Sequence, residues 1–159
     1  MKSIRFRVDG NRFVSPLSYA NIDIPIMFDT GAVQTVIGLK EFLDNGIDIK
    51  DELIKSMRLN GINKVTFTSA SNNKIEAYPC KINNIKLGGI ELDIFKFYLD
   101  ISDTIVKPLL GMDFIRHCKF SYLPHEDIKA YLLDKTGYDE YIKKEKCSTI
   151  FYLDSSRKC

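Results

Sequence analysis

Apolar and polar residues alternate along much of the chain with a period of two, which is typical of β-strands that bury one face. Residues 4–8 show this alternation, a turn signal follows at 9–11, and residues 12–14 can return as the partner strand. In residues 19–28, isoleucines at every second position share one face. Pro25 on the opposite face has no backbone donor, so we expect this strand to lie at a sheet edge or to bend there.

Three hairpins are predicted farther along the chain, each from two strand-like stretches on either side of turn residues. The first spans residues 65–82 with a polar tip at 71–73, where asparagine tolerates positive φ. The second turns at 88–89 and the third at 124–127. A series of such hairpins predicts a mainly antiparallel β domain.

Helical patterns are short, and the chain after position 133 changes in character. That last part reads as a polar helix followed by a strand. The predicted fold class is therefore all-β, with one to three short helices and a C-terminal helix–strand extension. We assign residues 1–133 to the main domain and residues 134–159 to an extension of the same domain. The helical stretches are 39–43, 51–57, 112–116 and 137–146, and the last strand is 148–153.

Composition excludes some classes of function. The chain has 159 residues, with 23 Lys and Arg against 21 Asp and Glu, for a formal charge of +2. This balance does not indicate nucleic-acid binding, and no apolar run reaches the ~18 residues of a membrane span. Four scattered cysteines and two histidines predict no structural metal site. No signal peptide is visible, so we expect a cytoplasmic protein with reduced thiols.

The clearest candidate for chemistry is an apolar strand that runs into Asp29, Thr30, Gly31 and Ala32. A carboxylate at the end of a buried strand is costly unless backbone donors or a partner charge satisfy it. Gly31 allows a sharp turn and a close approach of another chain, and Thr30 supplies a hydroxyl that can bond to a neighbour. Taken alone, Asp29 could also be a turn carboxylate that caps backbone donors.

A second motif, Leu109-Leu110-Gly111, precedes a short helical pattern. Two apolar residues before a glycine, with a helix starting at once, indicate a strand that passes through a tight internal crossing. Asp113 is expected to cap or pair at the start of that helix rather than to take part in chemistry.

Together these motifs resemble the retropepsin-like aspartic proteases, the single-domain relatives of pepsin. The predicted hairpin at 65–82 lies between them, where that family has its flap, and the resemblance covers roughly residues 4–133. It implies a closed β-barrel. The matching positions are Phe28, Asp29, Thr30, Gly31, Ala32, Thr35, Val36 and Ile37 in the first motif, and Leu109, Leu110 and Gly111 in the second.

The resemblance further implies an aspartic endopeptidase with one catalytic carboxyl per chain, that of Asp29. The second carboxyl would come from another copy, so a homodimer that cleaves peptides or proteins is expected, with no cofactor. Active-site support would come from Thr30, Gly31, Ala32 and Gly111. Substrate contacts would come from the flap and pocket residues Ser71, Asn72, Asn73, Lys107 and Leu109.

Two positions depart from the retroviral pattern. Val33 and Met112 stand where retroviral members often carry an acidic residue and an arginine that pair at the dimer interface. An apolar contact can replace such an ion pair. We expect the strand at 148–153 to help form the dimer; the alternative is that it covers a sheet edge of its own subunit.

Two other functions stay open at this point. The first is a catalytically inactive retropepsin-like module for dimerisation or peptide binding. The second is an unrelated β-barrel binding protein in which both motifs are accidental. Two Asp29 carboxyls within hydrogen-bond distance in a dimer would favour the enzyme.

Overall fold

The computed structural model describes residues 3–19, 21–46, 55, 57, 59, 61–68, 72–102, 107–122, 127–132, 138, 142–143 and 148–149. Eleven strands and two short helices have their bounds within these residues. In chain order they are β1 Ser3–Asp9, β2 Arg12–Tyr19, β3 Ile22–Phe28, β4 Val36–Gly38, α1 Leu39–Leu43, β5 Val65–Thr68, β6 Lys74–Leu87, β7 Ile90–Asp100, β8 Leu109–Leu110, α2 Met112–Ile115, β9 Cys118–Tyr122, β10 Asp127–Leu132 and β11 Ser148–Thr149.

Six of these strands close into a barrel in the order β2, β3, β8, β4, β7 and β6. The long strand β6 closes the ring because it pairs with β7 along most of its length and with β2 at Leu17 and Ser18. β1, β10 and β9 continue the sheet outward from β2, whereas β5 and β11 attach to β6. The prediction of an all-β fold with a closed barrel and few short helices is confirmed.

Strand β7 divides two apolar layers. Phe95, Phe97 and Leu99 belong to the main core inside the barrel, and Tyr98 between them belongs to a smaller cluster on the other face. Full burial of a phenylalanine side chain contributes roughly 1.5–3 kcal/mol, so the rings of β7 are a large part of the stability of the barrel. The smaller cluster also contains Val36, Ile75 and Ala77, with Val65 and Phe67 packed against it.

The prediction of a single strand over residues 19–28 is wrong at its start. Tyr19 ends β2, Asn21 turns the chain with φ of 65°, and β3 begins at Ile22. β3 is also not an edge strand, because it pairs with β2 throughout and with β8 at its end. Pro25 is tolerated because it lies opposite Pro16, in a pair that exchanges no hydrogen bonds across the ladder.

The three predicted hairpins are confirmed. β5 pairs with β6 around the polar tip, where Asn72 takes a φ of 63°, and the β6–β7 turn has φ of 55° and 92° at Gly88 and Gly89. β9 pairs with β10, and their connection lies outside the described residues. Much of the helix expected at 51–57 also lies outside the described residues, but Lys55 and Met57 are described and are helical. The strand expected at the Leu109-Leu110-Gly111 motif has two residues in the sheet, Leu109–Leu110.

The C-terminal extension contacts the core of its own chain. Tyr138 and Ile142 are helical and almost fully buried, and the Tyr138 ring packs edge-on against Phe114. β11 runs parallel to β6, with Ser148 beside Cys80. In the described residues this strand therefore covers an edge of its own subunit, which is the alternative left open by the sequence. Within the same described part, no helix is both long and apolar enough to cross a membrane.

Candidate active site

Asp29 lies where the two sequence motifs meet. The end of β3 runs parallel to β8, and the Asp29 N–H donates to the Leu110 carbonyl at 3.0 Å. The side chain of Asp29 is partly buried, and its Oδ1 accepts a hydrogen bond from the Gly31 N–H at 2.9 Å. A Cβ on residue 31 would lie 3.2 Å from this same oxygen. The carboxyl group is therefore held by the backbone of its own loop, with its other oxygen available to a ligand.

Gly111 allows the loop after Asp29 to cross directly over β8. A Cβ at this position would lie 2.4 Å from the Gln34 carbonyl carbon and oxygen, closer than real Cβ contacts. Its φ of −98° suits any residue, so the requirement for glycine is purely steric. Beyond the crossing, the Met112 N–H donates to the Ala32 carbonyl at 2.8 Å and the Asp113 N–H to the Val33 carbonyl at 3.1 Å. The predicted tight crossing is confirmed, and it ties α2 to the Asp29 loop.

A buried hydrogen-bond network under this loop joins Thr35 to Asp113. The Thr35 hydroxyl donates to Asp113 Oδ1 at 2.6 Å, and the Thr35 N–H donates to Oδ2 at 3.1 Å. The Phe114 N–H also donates to Oδ1, at 2.9 Å, and the Gly111 N–H donates to the Thr35 hydroxyl at 3.1 Å. Asp113 thus pairs at the start of α2, as expected. The sequence assigned no role to Thr35, whose hydroxyl bridges both motifs.

A cleft of about 540 Å³ opens between the Asp29 loop and the β5–β6 hairpin. Phe67 of β5 and Tyr98 of β7 lie edge to face in it, with ring centroids 6.0 Å apart. The apolar side chains that line the cleft can hold an extended ligand against the Asp29 carboxyl. Its lining residues are Asp29, Gly31, Ala32, Val33, Gln34, Val36, Val65, Thr66, Phe67, Thr68, Ile75, Tyr98 and Leu109.

The residues selected from the sequence fall into three groups. Asp29, Gly31, Ala32 and Leu109 line the cleft together. Gly111 lies behind it at the crossing, and Thr30 is exposed beside it. The third group does not line the cleft in this structure; it consists of the exposed residues Asn72, Asn73 and Lys107, while Ser71 lies outside the described residues.

Phe67, Tyr98 and Gln34 line the cleft and were missed by the sequence analysis. The two aromatic residues occur in strand patterns where most apolar residues fill a core. The sequence therefore does not distinguish aromatic residues that line a cleft from those that pack inside the core. A buried cation lies behind them: Lys96 donates from Nζ to the Tyr98 hydroxyl at 3.3 Å, and Nζ lies 4.6 Å from the centre of the Tyr98 ring. This contact fixes the tyrosine ring at the back of the cleft.

The Asp29 end of the molecule exposes apolar surface. Val33 is 72% exposed and Met112 is 36% exposed, although both are large apolar residues. They lie close together, because the residue after Met112 bonds to the Val33 carbonyl. These are the two positions at which the sequence departs from the retroviral pattern, and both side chains are uncharged.

Comparison with known proteins gives structural matches only. No family model and no curated protein match the chain. It resembles a retropepsin-like aspartic protease from Rickettsia conorii, with a TM-score of 0.57 and 22% identity over 80% of this chain and 98% of that one. It also matches the retroviral protease-like domain of Ddi1 from Leishmania major, with a TM-score of 0.45 and 14% identity over 79% and 98% of the two chains. The EIAV protease complexed with the inhibitor HBY-793 matches with a TM-score of 0.40 and 16% identity, over 69% and 92%.

The first of these matches identifies the fold as retropepsin-like. The order of elements also agrees with the pattern expected from the sequence: a strand into the Asp29 loop, a hairpin over the cleft, and a second strand that crosses under the loop before a short helix. The alternative of a β-barrel with a different fold is therefore wrong.

Proposed function

We propose that the protein is an aspartic endopeptidase that acts as a homodimer, with one Asp29 from each subunit. The observation that supports this most directly is the position of Asp29. Its carboxyl group lies at the wall of an apolar cleft, is oriented by the Gly31 N–H, and keeps one side open. Cytoplasmic location stays a prediction from the sequence.

Peptide hydrolysis at such a site needs two carboxyls that share one proton. The ionised one removes a proton from the attacking water, and the protonated one donates to the scissile carbonyl oxygen. Asp29 is the one carboxylate among the described residues that line the cleft. A second Asp29, from a second copy across a twofold axis, would complete the pair.

The cleft suits an extended peptide. Its wall β5 belongs to a hairpin that can close over a bound chain and add β-type backbone hydrogen bonds. Leu109, Phe67 and Tyr98 offer apolar surface to side chains next to the scissile bond. In the dimer the exposed Thr30 hydroxyl would bond to the other subunit, and the tip residues Asn72 and Asn73, with Ser71, would contact substrate when the flap closes. Lys107 does not line the cleft here, and its contact with substrate stays a prediction from the resemblance.

The test is cleavage of a peptide library by wild-type protein and by Asp29→Asn, with Asp9→Asn as a matched control at an exposed carboxylate at the end of β1. Asp29→Asn should fold normally and lose at least about a thousandfold in activity, because an amide cannot exchange the shared proton. Asp9→Asn should cleave like wild type. An Asp29→Asn protein that cleaves the same bonds at the wild-type rate would contradict the assignment. A wild-type protein that dimerises and binds peptides without cleaving any would instead identify the inactive binding module.

A further inference from the structure

We propose that a groove on the outer face of the barrel, separate from the cleft at Asp29, binds an acidic segment of a protein substrate. Two acidic side chains of that segment, two residues apart, would bind to Arg5 and Arg7. This inference rests on the proposed function, because it adds a second contact for the chain that the cleft would cleave.

The groove has a volume of about 550 Å³, which is similar to that of the cleft. Residues of β1, β2, β3 and the β6–β7 turn line it, and none of them lines the cleft. Its two sides differ in chemistry: β1 contributes two arginines, whereas β2 and β3 contribute two prolines. A surface with one cationic and one apolar wall favours an anionic chain that also has apolar parts.

A split between β1 and β2 opens the groove. The two strands pair only close to the turn that joins them, and farther along Gly88 lies between them. The Arg5 N–H donates to the Gly88 carbonyl at 3.3 Å, and the Gly88 N–H donates to the Pro16 carbonyl at 3.0 Å. A Cβ on residue 88 would collide with the Ser15 hydroxyl oxygen, and the φ of 55° also favours glycine. The floor of the groove is therefore backbone, with no side chain from residue 88 to fill it.

Strand β1 directs two arginine side chains to this face. Ile4 and Phe6 are buried in the core, so the alternation of the strand places Arg5 and Arg7 on the outer face, about 7 Å apart. Both arginines are exposed, and neither forms an ion pair within the part of the chain that the structure describes. Two guanidinium groups therefore face the groove without a bonded carboxylate.

The opposite wall sets the direction in which an anion binds. Pro16 and Pro25 lie opposite each other in the β2–β3 ladder, and their rings give this wall an apolar surface without N–H donors. Asp23 lies on the same wall, where its Oδ1 accepts a hydrogen bond from the Ser18 hydroxyl. Acidic side chains are therefore attracted to the β1 side of the groove and repelled from the β3 side.

An extended acidic peptide fits both the charge and the spacing of the groove. A guanidinium group binds a carboxylate with two parallel hydrogen bonds, and alternate side chains of an extended peptide are about 7 Å apart, as Arg5 and Arg7 are. A single small anion would leave the proline wall without a contact. Pro25 precedes Asp29 by four residues of β3, or about 13 Å. An acidic pair about four to eight residues from the scissile bond can therefore reach the groove while the bond lies at Asp29.

The first test measures binding of labelled peptides by fluorescence anisotropy. Wild-type protein should bind a peptide with the motif Glu-Ala-Glu at least about fivefold more tightly than the same peptide with Gln-Ala-Gln, and high salt should reduce the difference. Arg5→Gln/Arg7→Gln should lose this difference, and Arg5→Lys/Arg7→Lys should keep part of it. The matched control Arg12→Gln/Lys40→Gln removes two exposed positive charges outside the groove and should bind like wild type. Equal affinity of wild type for the two peptides, or an equal loss in the control, would overturn the proposal. Displacement of the labelled peptide by an equimolar amount of inorganic phosphate would identify a small-anion site and would also overturn it.

Cleavage kinetics separate this proposal from the proposed function. A cleavable peptide that carries Glu-Ala-Glu about four to eight residues from the scissile bond should have a KM at least about fivefold lower than its Gln-Ala-Gln counterpart, with the same kcat, because the groove lies away from Asp29. Equal KM values for the two peptides would contradict the groove and leave the peptidase intact. Selective binding of the Glu-Ala-Glu peptide by a protein that cleaves no peptide would support the groove and contradict the proposed function.

Discussion

Replacing Thr35 with valine tests whether the buried network under the Asp29 loop holds the two motifs together. Valine keeps the shape of threonine but removes its hydroxyl. That hydroxyl donates to Asp113 Oδ1 at 2.6 Å and accepts from the Gly111 N–H at 3.1 Å, and both partners are buried. The substitution therefore removes one hydrogen bond to a carboxylate and leaves one buried N–H without an acceptor.

The expected loss of stability follows from these two contacts. A hydrogen bond to a charged group contributes roughly 1.5–3 kcal/mol, and an unpaired buried donor costs roughly 1–3 kcal/mol. The loop can relax in part, so we expect Thr35→Val to lower the free energy of unfolding by about 3 kcal/mol. Thr35→Ser is the matched control: it keeps the hydroxyl and loses one buried methyl group, which costs about 1 kcal/mol.

Urea unfolding at one fixed protein concentration measures both variants, because dimerisation makes the apparent stability depend on concentration. The free energy of unfolding of Thr35→Val should be about 2 kcal/mol lower than that of Thr35→Ser. The folded Thr35→Val protein should also lose the proposed peptidase activity, because the hydroxyl that connects Gly111 to the Asp29 loop is absent. If the free energies of unfolding of the two variants differ by less than about 0.5 kcal/mol, the hydroxyl is not what stabilises the crossing.

Three further predictions concern pH, a partly buried thiol and the C-terminal extension. In the proposed dimer the two Asp29 carboxyls would hold one proton between them, so the cleavage rate should have a bell-shaped pH dependence centred on the acid side of neutral. Initial rates from pH 3 to 9 check this, and a steady rise into alkaline pH would refute it. Burial raises the pKa of the Cys118 thiol from 9.0 to about 12, so the unfolded chain loses this proton first and stability should fall as pH rises through that window. In unfolding experiments between pH 8 and 11, the free energy of unfolding of Cys118→Ala should decrease less with pH than that of wild type. Tyr138→Ala should cost about 3–4 kcal/mol in urea unfolding, because the ring is 2% exposed and packs against Phe114; a loss near zero would place the extension outside the cooperative core.

Much of the fold was predictable because its signals are local. Alternating isoleucines in β3, the polar tip around Asn72 and the Gly88-Gly89 turn each specify a conformation within a few residues. The Asp29 loop and the crossing at Gly111 were likewise visible as short motifs. The end of β2 at Tyr19 was not predicted because the turn at Asn21 is short and does not interrupt the apolar pattern. Two strands therefore have the sequence pattern of one.

The cleft was less predictable because its walls come from distant parts of the chain. Phe67 and Tyr98 meet only when β6 closes the barrel between β5 and β7. Lys96 was equally invisible, since an isolated lysine in a strand pattern is expected in solvent, yet here it is 2% exposed and lies against Tyr98. Such residues become identifiable only when the sheet order is known.

The C-terminal extension shows why an apolar strand pattern cannot name its partner. Pairing with β6 of the same chain and pairing with another subunit would bury similar side chains and use the same backbone groups, so both produce the same sequence signal. Sheet order separates them, because it shows that β6 is occupied by β11 while β9 ends the sheet among the described residues.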